Sequence, residues 1–92
     1  MPGTLPVVEV MSRNDCCLCV DAKEVVRRVA DDGLCHWREV DVDMDDALAT
    51  CYGHDVPVIL INGRKAFKHR LDEQALRTRL QRDGLLAEGS HK

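Results

Sequence analysis

Aromatic residues are nearly missing from this sequence. Trp37, Tyr52 and Phe67 are the only three among 92 residues. The core must therefore be aliphatic, and there is no row of rings on which nucleic-acid bases could stack. A surplus of positive charge is missing as well. Thirteen Lys and Arg stand against 16 Asp and Glu, a formal net charge of −3, which argues against a nucleic-acid partner. The longest unbroken apolar run, Val56–Ile61, is far too short to cross a bilayer. The opening residues, MPGTLPVVEV, lack the basic region and apolar stretch of a secretory signal. A cytoplasmic protein with no membrane partner is expected.

What is present is the composition of a folded domain, 45% apolar and 32% charged. One domain is expected over residues 1–86, with 87–92 as a disordered C-terminal tail. Residues Leu5–Met11 are mostly β-branched and apolar apart from Glu9, and read as a buried strand. The period then changes. Leu18, Ala22, Val25, Val26 and Val29 recur at helical spacing, and Gly33 ends that helix. His36–Val42 mixes charge into a strand pattern, as an edge strand does. Asp43 is suited to cap a short helix that ends at Tyr52 and Gly53. Val56–Ile61 reads as a second apolar strand, Asn62-Gly63 as a two-residue hairpin turn, and Arg64–Lys68 as a charged returning strand. Asp72 caps a last helix to about Asp83, with Ala75, Leu76 and Leu80 inward.

The order is strand–helix–strand–helix–strand–strand–helix. The first two strands, joined by a helix, run parallel with a right-handed crossover. The third and fourth form a hairpin. Placing the apolar strands centrally and the charged ones at the edges gives an α/β fold. Its four-stranded mixed sheet has the order 2-1-3-4, with helices on both faces.

Five cysteines need a reason. An extracellular disulfide scaffold would be denser and even-numbered, whereas clustered cysteines in a reducing cytosol point to catalysis or metal binding. Cys16, Cys17 and Cys19 crowd the start of the first helix in the run DCCLCV. At about 100° per residue, Cys19 falls on the flank of the buried stripe, Cys16 precedes or opens the first turn, and Cys17 points away. Residues three apart meet on a helix surface and residues two apart do not. Cys16 and Cys19 can therefore bridge, while Cys17 and Cys19 cannot. A Cys16–Cys17 bond would need a badly distorted peptide.

Cys16 is assigned as the attacking thiol because free amides and the helix dipole favour a thiolate at the terminus by roughly 0.3–2 kcal/mol. Arg13 adds to that field, and Asp15 and Asp21 oppose it. Cys19, partly buried, is assigned as the resolving thiol. Because the first and third strands run oppositely, Cys16, Val56-Pro57 and the Lys68-His69-Arg70 segment are expected at one edge of the sheet.

A first strand leading to C-x-x-C at a helix start, with V-P later opening a strand, resembles the thioredoxin fold. The segments NDCCLC, YGHDVPVILING and FKHRLD are most similar to small glutaredoxin-like proteins of that superfamily. The resemblance implies a thiol–disulfide oxidoreductase acting on protein or glutathione mixed disulfides through Cys16 and Cys19. It implies a cis-proline at Pro57, with Val56 offering backbone hydrogen bonds to an extended substrate. It puts Arg13 near the place of a basic residue that helps hold glutathione. No cofactor is implied; glutathione enters as a candidate co-substrate. Two features depart from the family pattern. The common C-P-Y-C is C-C-L-C here, and the Gly-Gly turn with its acidic pair after the fourth strand is replaced by KHRLD.

The alternative is a non-enzymatic thioredoxin-fold module that binds a partner protein along the Val56-Pro57 edge and keeps a vestigial redox pair. A zinc site of Cys16, Cys19, Cys35 and His36 is not expected, because Cys35 belongs at the far end of the helix, about 22 Å along its axis. Cys17 reads as a bystander and Cys35 and Cys51 as small packing residues. His54 and His69 read as loop or surface histidines and Lys23 as a solvated lysine. A monomer is expected.

Overall fold

The computed structural model of the chain describes residues 5–14 and 16–89. Strand β1 (Val7–Ser12) is followed by helix α1 (Cys17–Asp31), β2 (His36–Asp41), a 3-10 turn (Val42–Met44), α2 (Asp46–Tyr52), β3 (Val58–Ile61), β4 (Arg64–Lys68) and α3 (Glu73–Gly89). The strands form one mixed sheet of order β2-β1-β3-β4. β2 runs parallel to β1, and β3 is antiparallel to both β1 and β4. This is the topology expected from the sequence, with the charged strands at the edges.

Alternation along the central strands supplies both layers of the core. Val8 and Val10 of β1 and Ile59 and Ile61 of β3 pack with Ala22, Val26 and Val29 of α1 and Leu76 and Leu80 of α3. The intervening residues, Met11, Val58 and Leu60, meet Val42, Leu48 and Tyr52 on the opposite face. Successive strand residues point to opposite faces. A run such as VILI is therefore apolar at every position when both faces are covered.

The turns follow local chemistry. Helix α1 ends in a two-bond reversal, with the Leu34 N–H donating to the Val29 carbonyl at 3.4 Å and the Gly33 N–H to Ala30 at 2.9 Å. Gly33 has φ +84 and open space where a Cβ would stand. Gly33→Ala therefore meets no clash and costs only the left-handed backbone penalty, about 1 kcal/mol. A thermal melt of that variant lower by several degrees is the expected result. Asn62 (φ 52) and Gly63 (φ 83) make the type I′ geometry that suits a two-residue hairpin.

Several boundaries differ from expectation. Strand β3 starts at Val58, leaving Val56 and Pro57 in the preceding loop, since proline has no N–H for the ladder. Asp45 rather than Asp43 caps α2, its carboxylate accepting the Ala47 N–H at 2.8 Å. Asp43 is instead drawn into the 3-10 turn, and its carboxylate meets Arg13. Cys51 is exposed and not a packing residue, because α2 is short and turns Leu48 and Tyr52 inward. Helix α3 continues past Asp83 to Gly89. Leu85, Leu86, Ala87 and Glu88 are good helix formers, and the interior glycine that precedes them, Gly84, costs only about 1 kcal/mol. Residues 90–92 of the expected tail lie outside the described residues.

Candidate active site

The chain leaves β1 at Ser12 and enters α1 at Cys17, so the helix starts over one edge of the sheet. Cys16 is its N-cap. The backbone there is extended (φ −112, ψ 106), and the Cys16 Sγ accepts the Cys19 N–H at 3.2 Å. This is the geometry a serine or aspartate side chain adopts when it caps a helix three residues ahead. Here a sulfur takes that place, and a negatively charged sulfur accepts such a bond more strongly than a neutral one.

Cys19 is buried, 1% exposed, while Leu18 stands 40% exposed. The sequence put Leu18 on the inward stripe and Cys19 on its flank; the helix is turned so that Cys19, Ala22, Val26 and Val29 are the buried residues. Position 19 is three residues from Ala22 and seven from Val26, on the inner rows. Position 18 lies about 100° farther round. Even so, Cys19 joins neither apolar cluster and lies next to the Cys16 sulfur. Burial first, and then the hydrogen bond with Cys16, push its thiol from 9.0 up to about 11, against the backbone at Arg13 and the charge of Lys23. Cys17 is exposed.

Arg13, Asn14, Cys16, Cys17, Val20 and Lys23 line an open hollow of about 430 Å³. The Arg13 guanidinium is engaged within it. Its Nη2 donates to Asp43 Oδ1 at 2.9 Å and its Nη1 to the Gly53 carbonyl at 3.1 Å. Arg13 thus ties the β1–α1 connection to the 3-10 turn and to the end of α2. Asp15 lies outside the described residues.

The register aligns Met11 with Val58 and Val58 with Lys68. The exit of β1, the entry to β3 and the exit of β4 therefore share one sheet edge, as the topology predicted. The Val56–Pro57 peptide is cis, and Pro57 is buried. Sequence reasoning assigned His69 no role, yet its N–H donates to the carbonyls of Pro57 at 2.8 Å and Asp55 at 3.2 Å, and its Nε2 stands 3.5 Å from Asp55 Oδ1. His69 has φ 69. The run KHRLD contains no glycine, so nothing local in the sequence signalled that backbone position. Arg70 and Leu71 reach across to Leu18, Asp21 and Ala22 around a second hollow of about 340 Å³.

The family model described as Glutaredoxin-like domain (DUF836) matches residues 7–81. This chain belongs to that glutaredoxin-like family. Among solved structures, a mutant thioredoxin from Halobacterium salinarum NRC-1 is similar at a TM-score of 0.66 and 25% identity, covering 85% of this chain and 74% of the other. The glutaredoxin-like chain therefore has the thioredoxin fold. Among its described residues, no helix is long and apolar enough to cross a membrane.

The raised Cys19 thiol of this glutaredoxin-like protein carries a stability consequence. The folded state holds that proton more tightly than the unfolded chain, whose thiol titrates near the ordinary 9.0. Stability from this group is thus fully present below about pH 9 and is lost as pH rises through about 11. Chemical denaturation of the reduced protein and of Cys19→Ser should show the parent losing more stability between about pH 8 and about pH 10.5.

Proposed function

We propose that this glutaredoxin-like protein is a cytoplasmic thiol–disulfide oxidoreductase that reduces protein or glutathione mixed disulfides. The Cys16 thiolate attacks one sulfur of the substrate disulfide, and the other substrate sulfur leaves as a thiolate. The retained half is now joined to Cys16. Cys19 then gives its proton to solvent, and its sulfur attacks the Cys16 Sγ. The Cys16–Cys19 bond forms and the second substrate thiolate departs. Two electrons have passed from the dithiol to the substrate, and both released thiolates take up protons from water. A thiol such as glutathione restores the dithiol by the reverse exchange.

The observation that carries the reading is the Cys16 sulfur acting as the cap of α1, 3.2 Å from the Cys19 amide. That geometry puts the two residues of the pair one helical turn apart, at a helix N-terminus that favours negative charge. In this reading the Val56 backbone beside Pro57 aligns an extended substrate, and Arg13 holds the β1–α1 connection against Asp43. The protein acts as a monomer with no bound cofactor.

Peptide mapping after mild oxidation tests the pairing. A Cys16–Cys19 link is the expected product, and a link through Cys17 would overturn the assignment. In turnover of a glutathione mixed disulfide, Cys19→Ser separates two routes. Activity retained in that variant means that glutathione itself resolves the intermediate; activity lost means that Cys19 does. A parent protein with no turnover at all is a binding module.

A further inference from the structure

A polar cluster lies beside the dithiol. Ser12, 1% exposed at the end of β1, donates its hydroxyl to Glu39 Oε2 at 2.7 Å. The Lys23 ammonium donates to the same oxygen at 2.8 Å. Three elements, β1, β2 and α1, are thereby tied at one carboxylate oxygen. Lys23 lies four residues beyond Cys19 on α1, the spacing that puts side chains on one helix face, and it lines the hollow onto which Cys16 opens. It is not the solvated lysine the sequence suggested.

We infer that Lys23, held by Glu39 and Ser12, is a positioning residue for the resolving step: its ammonium stabilises the Cys19 thiolate that attacks the mixed disulfide. This rests on the dithiol reading above. Cys19 has to become an anion in a buried place, where a nearby cation counts for more than it would in water. Of the charged groups around it, Lys23 is the one on the same face of α1 as Cys19, four residues on. Arg13, from the β1–α1 connection, is paired with Asp43, and Asp41 of β2 also acts on Arg13. From α3, Arg77 and Glu73 pair with Asp32 and Arg28 at the other end of α1. Arg70 and Asp21 border the hollow on the Leu18 side. Glu39 is kept below the ordinary carboxylate range by Lys23 first and Ser12 second. Glu39 therefore stays a carboxylate throughout the pH range in which a thiol ionises. Burial and the Cys16 hydrogen bond outweigh the charge of Lys23, which acts in the direction that favours a Cys19 thiolate; the tether holds the ammonium on this side of α1.

The test uses the reduced full chain with Cys17→Ser and Cys51→Ser, mixed rapidly with the aromatic disulfide 5,5′-dithiobis(2-nitrobenzoate). Attack by Cys16 releases a first coloured thiolate, and resolution by Cys19 releases a second. In Lys23→Met, the pH midpoint of the second release is expected to rise by about one unit, so that resolution near neutral pH slows about tenfold. Lys23→Arg should restore the parent profile. Lys23→Met combined with Glu39→Gln should keep the shift, which excludes a bare carboxylate as its cause. An unchanged midpoint in folded Lys23→Met overturns the inference and leaves the dithiol reading standing. No second release in the parent protein overturns the dithiol reading, and this inference with it.

Discussion

Replacing Cys16 with serine is expected to reduce disulfide turnover to background, a loss on the order of 10³-fold or more, as when an enzyme loses its nucleophile. The serine hydroxyl can still accept the Cys19 N–H that the Cys16 sulfur accepts at 3.2 Å, because serine is a good N-cap. The helix should therefore start as before and the fold should persist. What disappears is a sulfur able to attack a disulfide and form a bond to one of its sulfurs. Consumption of a glutathione mixed disulfide, coupled to oxidation of glutathione, reads the effect directly, and circular dichroism confirms the fold. Turnover equal in parent and variant would remove Cys16 from the chemistry. Cys17→Ser is the matched control. Cys17 is exposed on the first turn and outside the bridging pair, so its replacement should leave turnover unchanged.

The largest loss of stability is expected from Ile59→Ala. Ile59 has 0% exposure and pairs with Val10 of β1 on one side and Phe67 of β4 on the other. Its side chain joins the cluster that α1 and α3 cover. Truncation removes three carbons from a place the surrounding strands cannot collapse into, at a cost of about 2–5 kcal/mol. A chain of this length has about 5–14 kcal/mol in total. The melting temperature should fall by roughly 10 °C or more, and a melt within a few degrees of the parent would contradict this account of the core. The Glu9–Arg38 ion pair across the β1–β2 ladder is the instructive contrast. Arg38 is well exposed, and breaking such a pair costs about 1 kcal/mol or less. Packing in the sheet centre, far more than this surface ion pair, holds the strands together.

That balance explains which features could be read without coordinates. The helical recurrence of Ala22, Val26 and Val29, the unbroken VILI run, the Asn62-Gly63 turn and the Gly33 stop each reflect physics acting within a few residues. Charge on His36–Asp41 and Arg64–Lys68 against apolar central strands was enough to order the sheet. The same local geometry set Cys16 and Cys19 one helical turn apart, as the Cys19 N–H on the Cys16 sulfur shows. Cys19, by contrast, was expected on the flank of the stripe and lies inside it, because the rotation of α1 is set by the sheet beneath it.

The amino-acid sequence by itself determined the elements, their order, the sheet topology and the spacing of the two thiols. Tertiary structure alone decided which partner each polar side chain takes. Arg13 could have faced solvent but meets Asp43, 30 residues away, so Asp45 is left to cap α2. His69 fastens the loop at Pro57 through its backbone, and Lys23 meets Glu39 and, through it, Ser12. The reason is physical. Periodicity and capping depend on neighbours along the chain, which the order of residues states outright. A hydrogen bond between distant side chains depends on separations of a few ångströms, and these exist only once the aliphatic core has set the strands and helices against one another.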